Sequence, residues 1–102
     1  MTLPEFSEML LTADPNATRY KSDQKPNYTT WIDFGRKKLM ANNRVAERAH
    51  KVQIDRFTKI EDDPIAEAIT AVLDENEIAY EYLCDFEQDT GYIHHIWDCE
   101  VD

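Results

Sequence analysis

The segment Glu61-Asp62-Asp63-Pro64 is the strongest structural signal in the chain. An aspartate suits the N-cap of a helix, and proline at the first helical position gives up no hydrogen bond. The pattern predicts a helix that runs to about Asn76. Its expected buried face consists of apolar residues at helical spacing, namely Ile65, Ala68, Ile69, Val72 and Leu73. One helix of this length shields only part of a sheet, so the flanking segments decide the fold.

Two alternating segments follow this helix and are predicted to be strands. They span residues 77–87 and 92–101, and Asp89-Thr90-Gly91 between them is typical of a hairpin turn. In the last strand, one face holds Ile93, Trp97, Cys99 and Val101.

Another helix and two strands are predicted on the N-terminal side of the Pro64 helix. Residues 3–13 have an apolar helical stripe, and residues 28–34 and 44–58 alternate like strands. The second strand is so long that we expect it to bend, bulge or project beyond the sheet at its start. Residues 14–27 and 35–43 are polar, and we interpret them as loops, with Gly35 ending the first strand.

The order helix, strand, strand, helix, strand, strand predicts an α+β fold. We expect a four-stranded, mostly antiparallel sheet with two helices packed on one face. The 102 residues fit a single domain spanning positions 1–102.

The net charge of −10 limits the partners that the chain can have. Such a surface repels nucleic acids and anionic membranes at long range. No stretch approaches the roughly 20 apolar residues that cross a bilayer. The N-terminal segment has acids where a signal peptide would have none, so we expect a protein that stays in the cytosol and has no membrane partner.

No catalytic, cofactor or metal site is expected from the sequence. His94 and His95 are adjacent on a strand and should point to opposite faces, while His95 and Cys99 share a face but lie about 13 Å apart. Cys84 and Cys99 are on successive strands and could face each other, but free thiols are the default in a reducing cytosol. Two glycines cannot build a phosphate-binding loop. Because none of these sites is expected, we predict that the chain is not an enzyme.

The candidate functional residues are therefore candidates for protein contacts. A basic cluster at Arg36, Lys37, Lys38 and Arg44 stands out in an acidic chain, together with the acidic residues Asp62 and Asp63. The basic cluster is either a solvated loop or a contact to an acidic partner or a neighbouring copy. Trp31, if it faces away from the helices, would belong to an exposed apolar patch of the kind found at interfaces, unless the long loops fold over it.

Several runs of residues resemble small tail proteins encoded in siphophage and prophage morphogenesis clusters. These are Tyr28-Thr29-Thr30-Trp31-Ile32, Met40-Ala41-Asn42-Asn43-Arg44, Val52-Gln53-Ile54-Asp55-Arg56-Phe57-Thr58-Lys59 and Phe86-Glu87-Gln88-Asp89-Thr90-Gly91-Tyr92-Ile93-His94. In their order and spacing they are similar to tail terminator or tail-completion proteins of Gram-positive phages, over roughly residues 28–101.

The resemblance implies a structural virion protein without enzymatic activity or cofactor. Copies of such proteins form a ring, commonly a hexamer, that caps the tail tube and joins it to the head–tail connector. The implied partners are other copies of the chain, the tail tube protein and the connector proteins, while DNA passes through without specific binding. The implied location is the host cytoplasm during assembly and then the virion tail.

Two alternatives remain at this point. A head-completion or connector protein would act on the other side of the same joint. An acidic inhibitor that mimics DNA would need carboxylates spaced like phosphates, whereas here the acids are interleaved with lysine and arginine.

Overall fold

A computed structural model describes the backbone of residues 1–21, 26–41 and 44–102, and the side chains of residues 1–21, 26–34 and 50–102. In chain order the elements are α1 (Leu3–Ala13), β1 (Thr18–Arg19), β2 (Tyr28–Ala41), β3 (Arg44–Thr58), α2 (Pro64–Glu75), β4 (Ala79–Glu87) and β5 (Tyr92–Val101). Within the described part of the chain, neither helix is long and apolar enough to cross a membrane.

The strands form one sheet in the order β1-β2-β3-β5-β4. The pair β1–β2 is parallel and the other three pairs are antiparallel. Both helices contribute to a single core on one face of the sheet, which we call the helix face; the other is the open face. The predicted α+β class is therefore confirmed.

The prediction of four strands is wrong because residues 14–27 include the short strand β1. Tyr20 N–H donates a hydrogen bond to the carbonyl oxygen of Trp31 at 2.9 Å. The Arg19 guanidinium lies 4.6 Å from the centre of the Trp31 ring and forms an ion pair with Asp33. These backbone and side-chain contacts hold a segment whose polar composition is typical of a loop.

The predicted connection at residues 35–43 is also wrong over residues 35–41, which continue β2. Gly35 does not end the strand; it lies where the pairing register shifts between Asp33 and Arg36, and irregular strand positions of this kind tolerate glycine. Residues 42 and 43 lie outside the described part of the chain.

The prediction that β3 projects beyond the sheet is confirmed. β3 pairs with β5 only from His50 to Thr58, while residues 44–49 pair with β2 alone. Residues 36–41 and 44–49 thus form a two-stranded extension, called the arm below. At about 3.3 Å per residue it is roughly 20 Å long, and it contributes to a molecule measuring 48 × 26 × 22 Å.

Both helices begin at well-formed caps. Thr2 Oγ1 accepts from Glu5 N–H at 3.2 Å, and a Glu5 carboxylate oxygen accepts from Thr2 N–H at 2.8 Å, which completes a capping box. In α2, Asp63 Oδ1 accepts from Ile65 N–H at 3.1 Å, as an N-cap aspartate should. The predicted start of each helix is confirmed.

The core lies between these helices and the central strands. Trp31 is only 2% exposed and packs edge-to-face on Phe6 at 5.3 Å between ring centres, so the condition for an exposed patch at Trp31, that it faces away from the helices, is not met. Successive side chains of a strand point to opposite faces of the sheet, and here Trp31 is on the helix face while Ile32 points to the open face. The buried apolar residues are Phe6, Met9, Leu10, Ala13, Trp31, Val52, Ile54, Ala66, Ile69, Leu73, Trp97, Cys99 and Val101.

A buried arginine connects both helices to the sheet. Arg56 of β3 places its Nε 2.8 Å from Asp63 Oδ2 at the start of α2 and an Nη 3.7 Å from Asp14 Oδ2 at the end of α1. It also donates to Thr29 Oγ1 of β2 at 3.4 Å. Arg56, Asp63 and Asp14 are each at most 5% exposed, so a single buried guanidinium is shared between two buried carboxylates.

We predict that Arg56→Met destabilises the fold by about 3–5 kcal/mol, because it leaves two carboxylates buried without a cation. Urea denaturation followed by circular dichroism measures the change. Lys51→Met, an exposed substitution on the same strand, is the matched control and should cost less than about 1 kcal/mol.

A triple variant separates loss of the charge pair from loss of packing. Adding Asp63→Ser, which keeps a capping hydroxyl, and Asp14→Asn to Arg56→Met should recover roughly half of the lost stability. If the triple variant is no more stable than Arg56→Met alone, uncompensated charge is not the cause.

Candidate interaction site

The strand β4 forms one edge of the sheet, and no strand in the described part of the chain pairs with its outer side. Its helix face carries Tyr80, Tyr82, Cys84 and Phe86, and its open face carries Glu81, Leu83, Asp85 and Glu87. Tyr82, Leu83 and Phe86 are 48%, 62% and 54% exposed. Long exposed edge strands with apolar side chains favour pairing with another chain.

A groove lies between the start of α2 and the helix face of β4 and β5. Its volume is about 460 Å³. Asp62 and Glu67 line it from the α2 side, while Tyr80, Tyr82 and His95 line it from the sheet. Asp62 has a left-handed φ of 52° just before the cap of α2. The groove therefore has an acidic lip and an aromatic floor.

Two rings of the aromatic floor, Tyr82 and His95, stack together with a third ring, that of Trp97, which lies in the core and does not line the groove. Tyr82 and His95 stack at 5.9 Å between ring centres, and His95 stacks on Trp97 at 5.8 Å. The Tyr82 hydroxyl lies 2.6 Å from His95 Nδ1. Trp97 is completely buried, and its indole N–H donates to Thr70 Oγ1 at 3.0 Å.

Tyr82 and His95 both favour their neutral forms. Partial desolvation, followed by the hydrogen bond and the electrostatic effect of the neighbouring Cys84, raises the pKa of Tyr82 to about 12. Burial lowers the pKa of His95 below its ordinary value of 6.5. At neutral pH the floor is uncharged and the formal charge of the groove comes from its acids.

These groups are suited to binding a cationic side chain. Aromatic faces beside carboxylates attract lysine and arginine side chains. His94 and His95 point to opposite faces, as predicted: His94 Nε2 lies 2.7 Å from Asp55 Oδ1 on the open face. The described residues contain no group of three or more His, Cys, Asp or Glu placed to hold a metal ion.

The open face carries a second group of aromatic rings. Phe57 stacks on His94 at 4.0 Å and on Tyr28 at 4.9 Å, and Tyr92 meets Phe57 edge-on at 5.9 Å. Because the rings bury one another, they remain half-buried although no second layer covers them in the described structure.

The predicted contact residues are distributed over three regions. Arg36, Lys37, Lys38 and Arg44 belong to strands of the arm, and their side chains lie outside the described residues. Trp31 is in the core. Of the acidic pair, Asp62 is exposed beside the groove, whereas Asp63 is buried against Arg56 and is unavailable to a partner.

The sequence interpretation missed Tyr80, Tyr82 and His95 as parts of one groove. From the sequence, His95 is considered only as a possible metal ligand. One sequence pattern could have indicated the groove. Both faces of residues 79–87 are rich in large or charged side chains, which is typical of a strand that is not fully covered.

The charges of the chain are separated between its elements. Residues 60–102, which include α2, β4 and β5, contain fourteen acidic residues and no lysine or arginine. Residues 36–48, which include most of the arm, contain five basic residues and one acidic residue. The fold therefore joins a basic projection to an acidic body.

The chain matches no known protein-family model, and no curated protein is similar enough to be counted as a relative.

We predict one fast-reacting and one protected thiol in the folded chain. The register places Cys84 opposite His95 and Cys99 opposite Tyr80, so the two cysteines do not face each other, contrary to one possibility raised by the sequence. Cys84 is exposed, whereas Cys99 is buried and its burial raises the thiol pKa to about 12. A thiol-reactive dye should label one cysteine quickly and the second only on unfolding. The Cys84→Ser variant should lose the fast phase of labelling. Fast labelling of both thiols would contradict the structure.

We also predict that the His95 ring titrates below 6.5 in the folded chain and near 6.5 in urea. Because the unfolded chain then binds the proton more readily, stability contributed by neutral His95 is present above about pH 6.5 and decreases as the pH falls. NMR titration of the ring protons measures both pKa values. A folded-state pKa equal to or above that of the unfolded chain would show that the ring is not desolvated in the groove.

Proposed function

We propose that this chain is a structural assembly protein of a tailed phage, a tail terminator whose copies form a ring at the head-proximal end of the tail tube. The observation that supports this best is the combination of a projecting arm and an unpaired sheet edge on one small domain.

A ring requires two different, complementary surfaces on each copy. Contacts of this head-to-tail kind close into rings when the rotation between copies permits it. The arm extends past one end of the sheet along the strand direction, while β4 is a lateral edge, so the two surfaces are on different sides of the molecule. Each copy can therefore contact two neighbours at once.

The charge of the body is compatible with passage of DNA. A ring around a DNA path should present acids rather than lysine and arginine, because cations would hold the phosphate backbone. The body formed by α2, β4 and β5 has acids alone among its Asp, Glu, Lys and Arg residues. The proposed partners are thus other copies, the tail tube protein and the connector proteins, with DNA passing unbound.

The proposed role follows the protein through assembly. The chain would be made in the host cytoplasm, join the end of a completed tube and remain in the virion at the head–tail interface. Catalysis plays no part in this role, because the ring acts by closing the tube and by presenting a surface to the connector.

Tail tubes assembled without this chain provide the test. We expect gold-labelled protein to bind one end of each tube, and electron microscopy with averaging of that end to show an added ring of discrete symmetry. Light scattering coupled to size-exclusion chromatography, across protein and salt concentrations, measures whether rings also form in solution. A ring species that shrinks as salt rises is expected if charge contributes to the contacts.

Other outcomes would overturn the proposal. Label on heads but not on tubes would indicate a head-completion or connector protein instead. No binding to tubes or heads, together with inhibition of a DNA-binding enzyme, would indicate an acidic inhibitor. Uniform label along the tube would show a lateral tube component rather than a terminator.

A further inference from the structure

We propose that the outer edge of β4, with the groove beside it, receives the basic arm of the next copy of the chain. This inference rests on the proposed assembly function and names the contact that would close the ring. Its occupant is a second copy, because this chain itself contains a strand segment that is complementary in charge.

The first argument concerns backbone hydrogen bonds. The outer side of β4 offers nine residues of strand without a partner in the described structure. Addition of a strand at such an edge satisfies main-chain donors and acceptors and gives affinity, while side-chain pockets give specificity. The groove on the helix face of β4 is such a pocket.

The second argument concerns the arm. Residues 36–41 and 44–49 pair only with each other beyond the end of the sheet. A two-stranded hairpin by itself is marginally stable in water, and a third strand is the usual way in which it gains stability. Docking on β4 would supply that third strand from a neighbouring molecule.

The third argument concerns charge. The open face of β4 carries Glu81, Asp85 and Glu87, and the groove on its other side is lined by Asp62 and Glu67. The arm segment 36–48 has five basic residues and one acidic residue. Acids on both sides of the edge therefore meet a strongly basic occupant.

The same charges disfavour the competing contact. Two copies that paired through β4 with each other would bring like charges together, which is destabilising across strands. The acidic edge thus opposes a symmetric dimer and favours the head-to-tail contact between arm and edge. This asymmetry is what a ring requires.

The aromatic floor adds a specific recognition element. Tyr82 is 48% exposed and held in place by His95, so its face remains accessible at the bottom of the groove. A lysine or arginine that enters between Tyr82 and Glu67 would meet an aromatic face and a carboxylate together.

A charge-swap experiment tests the contact. The arm variant is Lys37→Glu/Lys38→Glu, and the edge variant is Glu81→Lys/Asp85→Lys. Each alone should weaken assembly at least tenfold, measured by light scattering in solution or by ring occupancy on tube ends, whichever the wild-type chain shows. Mixing the two variants should restore assembly, because each altered surface then meets its altered complement.

Matched controls carry the same change of net charge elsewhere. Lys21→Glu/Lys59→Glu controls the arm variant, and Glu8→Lys/Glu75→Lys on exposed helix positions controls the edge variant. Both should assemble like the wild type to within about twofold. Restoration on mixing also shows that the variants are folded, so a folding defect cannot mimic the result.

The failures of the two proposals are distinguishable. If the wild type assembles and neither swap weakens it, or if mixing fails to restore two well-folded variants, the arm–edge contact is wrong while the assembly function stands. If the wild type forms no oligomer in solution and binds no tube end, the assembly function fails and this contact fails with it.

Discussion

Arg56 is the residue through which the two helices and the sheet are held in one arrangement. Its guanidinium is buried between Asp14 at the end of α1 and Asp63 at the start of α2, and it reaches Thr29 on the adjacent strand. Removal of Arg56 would leave both carboxylates without a cation in a medium of low polarity. The helices are therefore tied to the middle of the sheet at fixed points, and the apolar core fills the space between them.

This anchoring leaves the last strand in the sheet order incompletely covered. Since α2 starts beside Arg56 and contacts Trp97 of β5 through Thr70, it reaches Tyr80 of β4 but leaves Tyr82 and Phe86 exposed. The groove beside Tyr82 is the space left over. The candidate site is thus a consequence of where the helices are attached and does not require a separate structural element.

The separation of basic and acidic residues makes the two surfaces of the chain unlike each other. A basic arm at one end of the sheet and an acidic edge along its side make the two surfaces of the chain unlike each other and attractive to each other. Identical copies with such surfaces assemble head to tail, whereas a self-complementary patch would stop at a dimer. In the proposed assembly, the net charge of −10 would keep the bodies apart except where an arm intervenes.

The sequence by itself determined the local elements. Both helices, the long β3, the final hairpin, the α+β class and the opposite orientation of His94 and His95 followed from caps, turns and alternation, which are properties of neighbouring residues. Only the tertiary structure decided that Trp31 is buried, that residues 35–41 continue a strand, and that Tyr82 and His95 share a groove. These depend on partners distant in sequence: Phe6 and Arg19 cover Trp31, and β3 pairs with residues whose composition resembles a loop. Local patterns contain no information on which distant segment supplies the missing contact.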